Sequence, residues 1–315
     1  MILIFGRSTI IKRYPAGILC TCVVPWDEHG EFIEHLFVDE VQRILQLTPH
    51  LYVFGTAGEG YAVNNRQFER IVTVFHRVMR EAGAETMVGL VSLSLPTIIE
   101  RIEWCRQQGV RDFQISLPSW GALADDEVRS FFKETCGRFG DCRFLHYNLL
   151  RAKRLVTPAL YGELAEAHPN LVATKNTGDS MLRLEELMRR APQLQHFPGE
   201  IGFVYASQLG ECGLLASLAT NHTACREFFG AGQRRDLPAL LLQYAEIARI
   251  FDELVVAVGP GEHIDGAYDK VLWKVCDNRF PLRLLPPYAG ATDAAFERFA
   301  NFLRVQTPRW APEAR

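Results

Sequence analysis

A lysine and a tyrosine in this chain have the types and the positions that covalent catalysis would need. Tyr147 closes the apolar run Arg143-Phe144-Leu145-His146-Tyr147, and Lys175 closes the run Leu171-Val172-Ala173-Thr174-Lys175. A lysine amine that is desolvated, or that lies beside other cations, loses basicity and can serve as the nucleophile of a Schiff-base enzyme. A neighbouring phenol is a suitable proton carrier for such an amine. These residues therefore predict imine chemistry on a carbonyl substrate.

A glycine-rich segment, residues 55–60, follows another apolar run and reads Gly-Thr-Ala-Gly-Glu-Gly. Glycines permit a tight turn and expose consecutive backbone N–H groups, an arrangement that suits a bound carboxylate. An ordinary strand-to-helix turn explains the same glycines equally well. Thr56 adds a hydroxyl, and Glu59 is a candidate for bracing the loop by hydrogen bonds rather than for contacting substrate.

The elements that must position these residues alternate along the chain. Eight apolar, strand-like runs are separated mostly by stretches with helical periodicity, which indicates a parallel sheet. The runs end near Val24, Phe54, Val91, Leu117, Tyr147, Lys175, Pro198 and Ser217. The clearest helices are Asn65 to Arg80, Pro96 to Gln108, Asp125 to Phe139, Pro158 to Ala167 and Ser180 to Arg190.

Eight strands are the number that closes a barrel, so we expect an α/β fold, a (β/α)8 TIM barrel with its chemistry at the C-terminal ends of the strands. An open doubly wound sheet would call for a glycine-rich turn after the first strand, where this chain has Val24-Pro25-Trp26-Asp27. The pattern after the eighth strand is purely helical. We therefore divide the chain into a barrel catalytic domain, 1–224, and a C-terminal helical domain, 225–315, that packs on the barrel and on a partner subunit. Its predicted helices are Asp236 to Val256, Ile264 to Val275 and Asp293 to Val305.

Composition restricts the class of partner. The chain has 315 residues, 48% of them apolar, and a net charge of −3, which gives no electrostatic footprint for nucleic acid or for an anionic membrane. A small-molecule substrate is expected instead. The eight cysteines form no CxxC pair, and Cys20 with Cys22 lacks further ligands for a metal, so reduced thiols in a cytoplasmic protein are expected, with no metal. The apolar start, Met1 to Phe5, is too short for a signal peptide or a membrane span.

The ordered motifs resemble the successive signatures of the dihydrodipicolinate synthase / N-acetylneuraminate lyase family of class I aldolases. The carriers are Gly55-Thr56-Ala57-Gly58-Glu59, Tyr147-Asn148 and Lys175 with Gly178-Asp179, and the resemblance runs from about Gly17 into the C-terminal helices. It implies a TIM barrel with a C-terminal helical domain, assembled as a dimer or tetramer. It also implies action on pyruvate or another 2-oxo acid through a lysine imine, without a cofactor.

The resemblance implies roles for individual residues. Lys175 is the imine-forming lysine, Tyr147 shuttles protons and orients the carbonyl, and Thr56 with the Thr56 and Ala57 N–H groups holds the substrate carboxylate. Further candidates for substrate binding are Gly55, Ser217, Trp120 and Arg151.

Two departures from the family pattern predict altered substrate recognition. The synthases carry Tyr-Asn-x-Pro-x-Arg, whereas this chain has Leu150 at the proline position and Ala152 at the arginine position. Compensation by Arg151 or Lys153 stays open, because a guanidinium displaced by one residue points in another direction. Trp120 stands in the region of a second synthase tyrosine, and an indole can only donate a hydrogen bond.

Three functions follow from these residues. The first is a Schiff-base lyase or aldolase acting on a 2-oxo acid. The second is a dehydratase or hydratase of a deoxy sugar acid that uses the same lysine imine. The third belongs to another class, a non-catalytic 2-oxo-acid-binding or regulatory protein.

Overall fold

The computed structural model describes residues 11–177, 180–261 and 263–313. The interpretations of Met1 to Phe5 and of Gly178-Asp179 fall outside this described part of the chain.

Eight parallel strands form a nearly closed barrel, which confirms the predicted fold class. Consecutive strands pair along the order β7-β6-β5-β4-β3-β2-β1-β8. The remaining seam between β7 and β8 carries a backbone hydrogen bond from the Gly213 N–H to the His196 carbonyl, at 2.9 Å. The strands are β1 Ile18–Thr21, β2 Leu51–Val53, β3 Met87–Gly89, β4 Asp112–Ile115, β5 Arg143–Asn148, β6 Leu171–Asn176, β7 Gln195–Pro198 and β8 Leu214–Ala216.

In the described residues an α-helix follows each strand, and three more α-helices come after the barrel. The barrel helices are α1 Glu34–Leu45, α2 Asn65–Glu81, α3 Leu95–Gln107, α4 Asp125–Phe132, α5 Pro158–Ala167, α6 Met181–Arg190, α7 Glu200–Leu209 and α8 His222–Gln233. The C-terminal helices are α9 Leu237–Val258, α10 Asp265–Cys276 and α11 Asp293–Gln306. None of the helices in the described residues is long and apolar enough to cross a membrane.

Side-chain alternation along the strands separates the barrel interior from the helical layer. Leu145 on β5 joins an interior cluster that also contains Tyr52, Phe197 and Leu215. His146, the next residue on β5, points the other way, and its Nδ1 lies 2.6 Å from the Tyr161 hydroxyl of α5. His146 therefore faces the helical layer rather than the barrel interior.

Local capping explains why helix starts could be located from the sequence. The Thr157 side chain accepts a hydrogen bond from the Leu160 N–H at the start of α5, and Ser180 caps α6 in the same way through the Arg183 N–H. The helix predicted from Asp125 to Phe139 is shorter in the structure. Helix α4 ends at Phe132, and residues 133–137 form a π-helical turn.

The C-terminal helices agree with the predicted ones to within two residues at each end. Helix α8 spans His222–Gln233 and follows β8 as the eighth helix of the barrel, so the predicted boundary between 224 and 225 falls inside it. The division into two domains stays a prediction. Helix α10 lies over the mouth of the barrel, where Lys270 contacts Glu59 of the loop after β2.

Candidate functional site

The centre of the site is the amine of Lys175, at the C-terminal end of β6. Its Nζ donates a hydrogen bond to the Tyr52 hydroxyl at 2.7 Å and lies 3.6 Å from the centroid of the Tyr147 ring. Tyr147 and Lys175 are register partners on the adjacent strands β5 and β6, which explains why two residues far apart in sequence meet. The amine is therefore held between two phenol side chains, of which the sequence predicted one.

The surroundings of Lys175 change its acidity in the direction that an amine nucleophile needs. Burial lowers the pKa of Lys175 to about 8, although Asp265 and Asp269 act in the opposite direction. At this pKa, about a tenth of the amine is neutral at pH 7, against roughly one part in 2,500 for an ordinary lysine. Desolvation is thus the cause of the lowered pKa, and the titratable side chains nearby are carboxyl groups rather than the cations that the sequence analysis had considered.

Tyr147 is a buried phenol that stays protonated near neutral pH. Burial raises its pKa to about 12, and side-chain hydrogen bonds with Thr177 and Thr56 partly offset that effect. The bond with Thr56 connects the tyrosine to the glycine-rich loop after β2. The Lys175 amine lies over the face of this ring, and a protonated phenol so close to the reacting amine can donate a proton during a reaction and take it back.

The glycine-rich loop is built by close backbone contacts. A Cβ atom on Gly58 would lie 2.7 Å from the Cys22 carbonyl oxygen, and one on Gly60 would lie 2.5 Å from the Phe54 oxygen. These approaches require glycine at both positions. They also fix the backbone on either side of Thr56 and Ala57, the two residues predicted to hold a substrate carboxylate.

Glu59 stabilises this loop through hydrogen bonds, the role that the sequence analysis considered for it. Its Oε1 accepts hydrogen bonds from Trp26 Nε1 at 2.9 Å and from Lys270 Nζ at 2.6 Å, and its Oε2 accepts one from the Leu285 N–H at 2.7 Å. Glu59 is fully buried. The carboxylate therefore connects the loop after β1, the loop after β2, helix α10 and the segment that follows α10, and has a structural task rather than contact with substrate.

A cavity of about 320 Å³ opens above the lysine. Four of the predicted site residues line it: Lys175, Tyr147, Ala57 and Ser217. The Ser217 N–H donates to the buried carboxylate of Glu200 at 2.6 Å, which fixes the end of β8.

A second cavity, of about 590 Å³, lies beside the first and is lined by the other predicted residues Thr56, Arg151 and Trp120. Trp120 is 88% exposed at its rim. Gly55 lines neither cavity as the structure describes them, and a Cβ atom there would lie 2.6 Å from Cε2 of Tyr52. The binding roles assigned to these residues stay predictions.

Arg151 is engaged within the protein. Its guanidinium forms an ion pair with Asp265 of α10 at 2.7 Å. Lys153, the other candidate to replace the family arginine, has a left-handed backbone with φ of 64° and lines neither of the two cavities. Arg151, and not Lys153, therefore lies beside the candidate site, and its charge is paired with that of Asp265.

The sequence analysis missed several residues of the site. Tyr52, Thr21, Asp265 and Asp269 all line the lysine cavity. Tyr52 had a usable signal, since it is the polar-tipped member of the buried run Leu51-Tyr52-Val53. The two aspartates stand four apart on one face of a predicted helix, but nothing local shows which part of the barrel that helix covers.

The comparisons with known proteins agree with this geometry. The profile of the dihydrodipicolinate synthetase family matches residues 14–256. No curated protein sequence is significantly similar to the chain.

Solved structures share the fold at low identity. YagE, a prophage protein of the dihydrodipicolinic acid synthase family from E. coli, was solved in complex with pyruvate. It has a TM-score of 0.81 at 15% identity over 92% of this chain and 97% of its own. CdNal from Clostridium difficile, in complex with mannosamine, has a TM-score of 0.79 at 17% identity over 91% and 97%. The 4-hydroxy-tetrahydrodipicolinate synthase of Methylacidiphilum fumariolicum has a TM-score of 0.81 at 14% identity over 95% and 98%. The chain therefore belongs to the dihydrodipicolinate synthetase family, whose members are lyases of the class I aldolase type.

Proposed function

We propose that this protein is a Schiff-base-forming lyase or aldolase that acts on pyruvate or another 2-oxo acid, with Lys175 as its nucleophile. The observation that carries the proposal is the buried amine, with its pKa lowered to about 8, enclosed by Tyr52 and Tyr147 at the floor of a cavity. A structural lysine at the end of a barrel strand has no need of such an environment.

The geometry supports a sequence of steps. The neutral Nζ of Lys175 adds to the C2 carbonyl carbon of the 2-oxo acid, and the resulting carbinolamine loses water to give a protonated imine. The imine withdraws electrons from C3, so that a C3 proton passes to the Tyr147 phenolate left when the phenol protonated the departing hydroxyl, and an enamine forms. The enamine then attacks the carbonyl carbon of an aldehyde, and the reverse sequence cleaves the same carbon–carbon bond.

Other residues have tasks in these steps. Tyr147 transfers protons to and from the carbinolamine oxygen, since its phenol stays protonated and its ring lies against the amine. The backbone N–H groups of Thr56 and Ala57 hold the carboxylate of the 2-oxo acid beside the lysine. The pyruvate bound to YagE supports this substrate class.

The second substrate differs from that of the synthases. Arg151 is neutralised by Asp265, Ala152 stands at the position of the family arginine, and Trp120 replaces a tyrosine. These features support an altered partner aldehyde. A cytoplasmic homo-oligomer, dimer or tetramer, belongs to the same proposal.

The polar lining of the cavity favours one alternative, a dehydratase or hydratase of a deoxy sugar acid. The hydroxyls of Thr21, Thr177 and Ser217 and the carboxyl of Asp269 face the space above Lys175 and could bind substrate hydroxyls. Such an enzyme forms the same imine but releases no aldehyde, so product analysis separates the two functions.

Exchange of the methyl protons of pyruvate in deuterium oxide, followed by proton NMR, tests the proposal. We expect the wild-type protein to exchange them through the enamine. Lys175→Ala should abolish the exchange, and Lys133→Ala, which removes an exposed lysine, should leave it unchanged. Binding of pyruvate without exchange by the wild-type protein would favour the non-catalytic binding protein instead.

A further inference from the structure

Tyr52 contacts the reactive amine but lies outside the motifs on which the family resemblance rests. It is 1% exposed, and it reaches across the barrel from β2 to β6, which lie on opposite sides of the eight-stranded sheet. Its hydroxyl accepts the hydrogen bond that Lys175 Nζ donates at 2.7 Å.

The position of the Tyr52 ring is fixed by its surroundings. It belongs to the interior cluster with Leu145 and Phe197, and the Cα of Gly55 lies so close that a Cβ there would be 2.6 Å from Tyr52 Cε2. Glycine at position 55 therefore makes room for this ring. The phenol is held in one place without any contribution from a substrate.

The orientation of the hydroxyl is fixed as well. Thr21 is the register partner of Tyr52 on β1, and the two side chains form a hydrogen bond. The Thr21 hydroxyl in turn donates to the Cys22 carbonyl at 3.4 Å. With its own hydrogen directed at Cys22, the Thr21 oxygen accepts the hydrogen bond that the Tyr52 hydroxyl donates, and an oxygen lone pair of Tyr52 is left facing Lys175.

An oxygen lone pair directed at Nζ stabilises the ammonium form of Lys175 more than the neutral amine. Burial raises the pKa of Tyr52 well above 10, so the phenol itself stays neutral. The other titratable groups that face the lysine are Tyr147 from β5 and Asp265 and Asp269 from α10. Loss of the Tyr52 hydroxyl should therefore lower the pKa of Lys175 and free the amine to rotate.

We propose that Tyr52 is a positioning residue for the Schiff-base reaction: its hydroxyl, oriented by Thr21, accepts a hydrogen bond from the Lys175 amine and so holds the amine with its nitrogen lone pair facing the cavity. This inference rests on the proposed function. The inference predicts that removing the Tyr52 hydroxyl changes both the ionisation of Lys175 and the rate of imine formation.

The test is the pH dependence of the rate at which cyanoborohydride traps the pyruvyl adduct, followed by intact-protein mass spectrometry. For Tyr52→Phe we expect a maximal rate about tenfold lower and a midpoint shifted down by about one pH unit. Tyr14→Phe is the matched control, since Tyr14 lies in the same interior cluster but its hydroxyl contacts His50, at 3.2 Å. The control should reproduce the wild-type profile.

The outcomes separate the two proposals. Suppose that the wild-type protein forms the adduct. If Tyr52→Phe then has the wild-type pH profile, or a lower maximal rate without a shift of the midpoint, the positioning role is overturned and the proposed function stands. No adduct on the wild-type protein would overturn the proposed function and this inference with it. If Tyr52→Phe does not fold, Thr21→Val keeps the phenol and removes its partner, and a downward shift of the midpoint is again required.

Discussion

Replacing Lys270 by methionine tests whether the buried ion pair beneath the glycine-rich loop holds the barrel and the C-terminal helices together. The side chains of Lys270 and Glu59 are both 0% exposed, and their charged atoms lie 2.6 Å apart. In the Lys270→Met protein, Glu59 keeps its bonds from Trp26 and Leu285 but loses its counter-charge. Removing one partner of a buried pair typically costs about 3–5 kcal/mol, and the two remaining donors favour the lower end of that range.

Urea unfolding monitored by circular dichroism measures this cost. Arg77→Met is the control, because Arg77 forms only surface ion pairs with Glu34 and Glu81 and should change the free energy of unfolding by less than about 1 kcal/mol. Adding Glu59→Gln to Lys270→Met should recover part of the loss, since no unpaired charge is then buried. A loss below about 1 kcal/mol for Lys270→Met would refute the structural role assigned to the pair.

Three further predictions follow from the site and its supports. The rate of imine trapping at Lys175 should rise with pH through about 8 and then level off, because burial lowers the pKa of the amine to that value. A rate that continues to rise up to pH 10 would contradict this prediction. Gly89→Ala should destabilise the protein by about 1–3 kcal/mol in thermal unfolding, since its Cβ would lie much closer to the Phe54 carbonyl oxygen than van der Waals contact allows, whereas Gly121→Ala, with open space around it, should change little. Burial raises the pKa of Asp269 to about 8, so the wild-type protein loses stability as the pH rises from acidic values toward 8. Urea unfolding should therefore show that Asp269→Asn is more stable relative to wild type at pH 8 than at pH 5. An equal difference at both pH values would argue against a raised pKa.

Much of the fold follows from local signals in the sequence. The strand runs that end at Tyr147 and Lys175 are apolar and short, and the structure places both residues on paired strands. Helix starts such as Thr157-Pro158 carry their own cap, so their positions depend on neighbouring residues only. Because a barrel gathers the C-terminal ends of its strands at one face, the convergence of the predicted catalytic residues could be expected once eight strands were recognised.

What the sequence could not supply depends on long-range packing. The contact between Tyr52 and Lys175 joins opposite strands, and the approach of Asp269 depends on where α10 lies over the barrel. The pairing of Arg151 with Asp265 has the same origin, and it changes the interpretation of the arginine that the motif comparison left open.

The π-helical turn at 133–137 was missed for a different reason, since the apolar periodicity continues through it. The Thr135 hydroxyl donates to the Phe131 carbonyl at 2.9 Å, a side-chain bond that competes with the regular helical backbone bond.

The measurement that tests the central claim most directly is borohydride reduction in the presence of pyruvate, followed by peptide mass spectrometry. The account predicts a pyruvyl adduct on the peptide that contains Lys175, its absence from Lys175→Ala and its retention in Lys133→Ala. An adduct formed only with longer 2-oxo acids would favour the sugar-acid enzyme. No adduct with any 2-oxo acid, or an adduct on a different lysine, would contradict the assignment of Lys175 as the nucleophile.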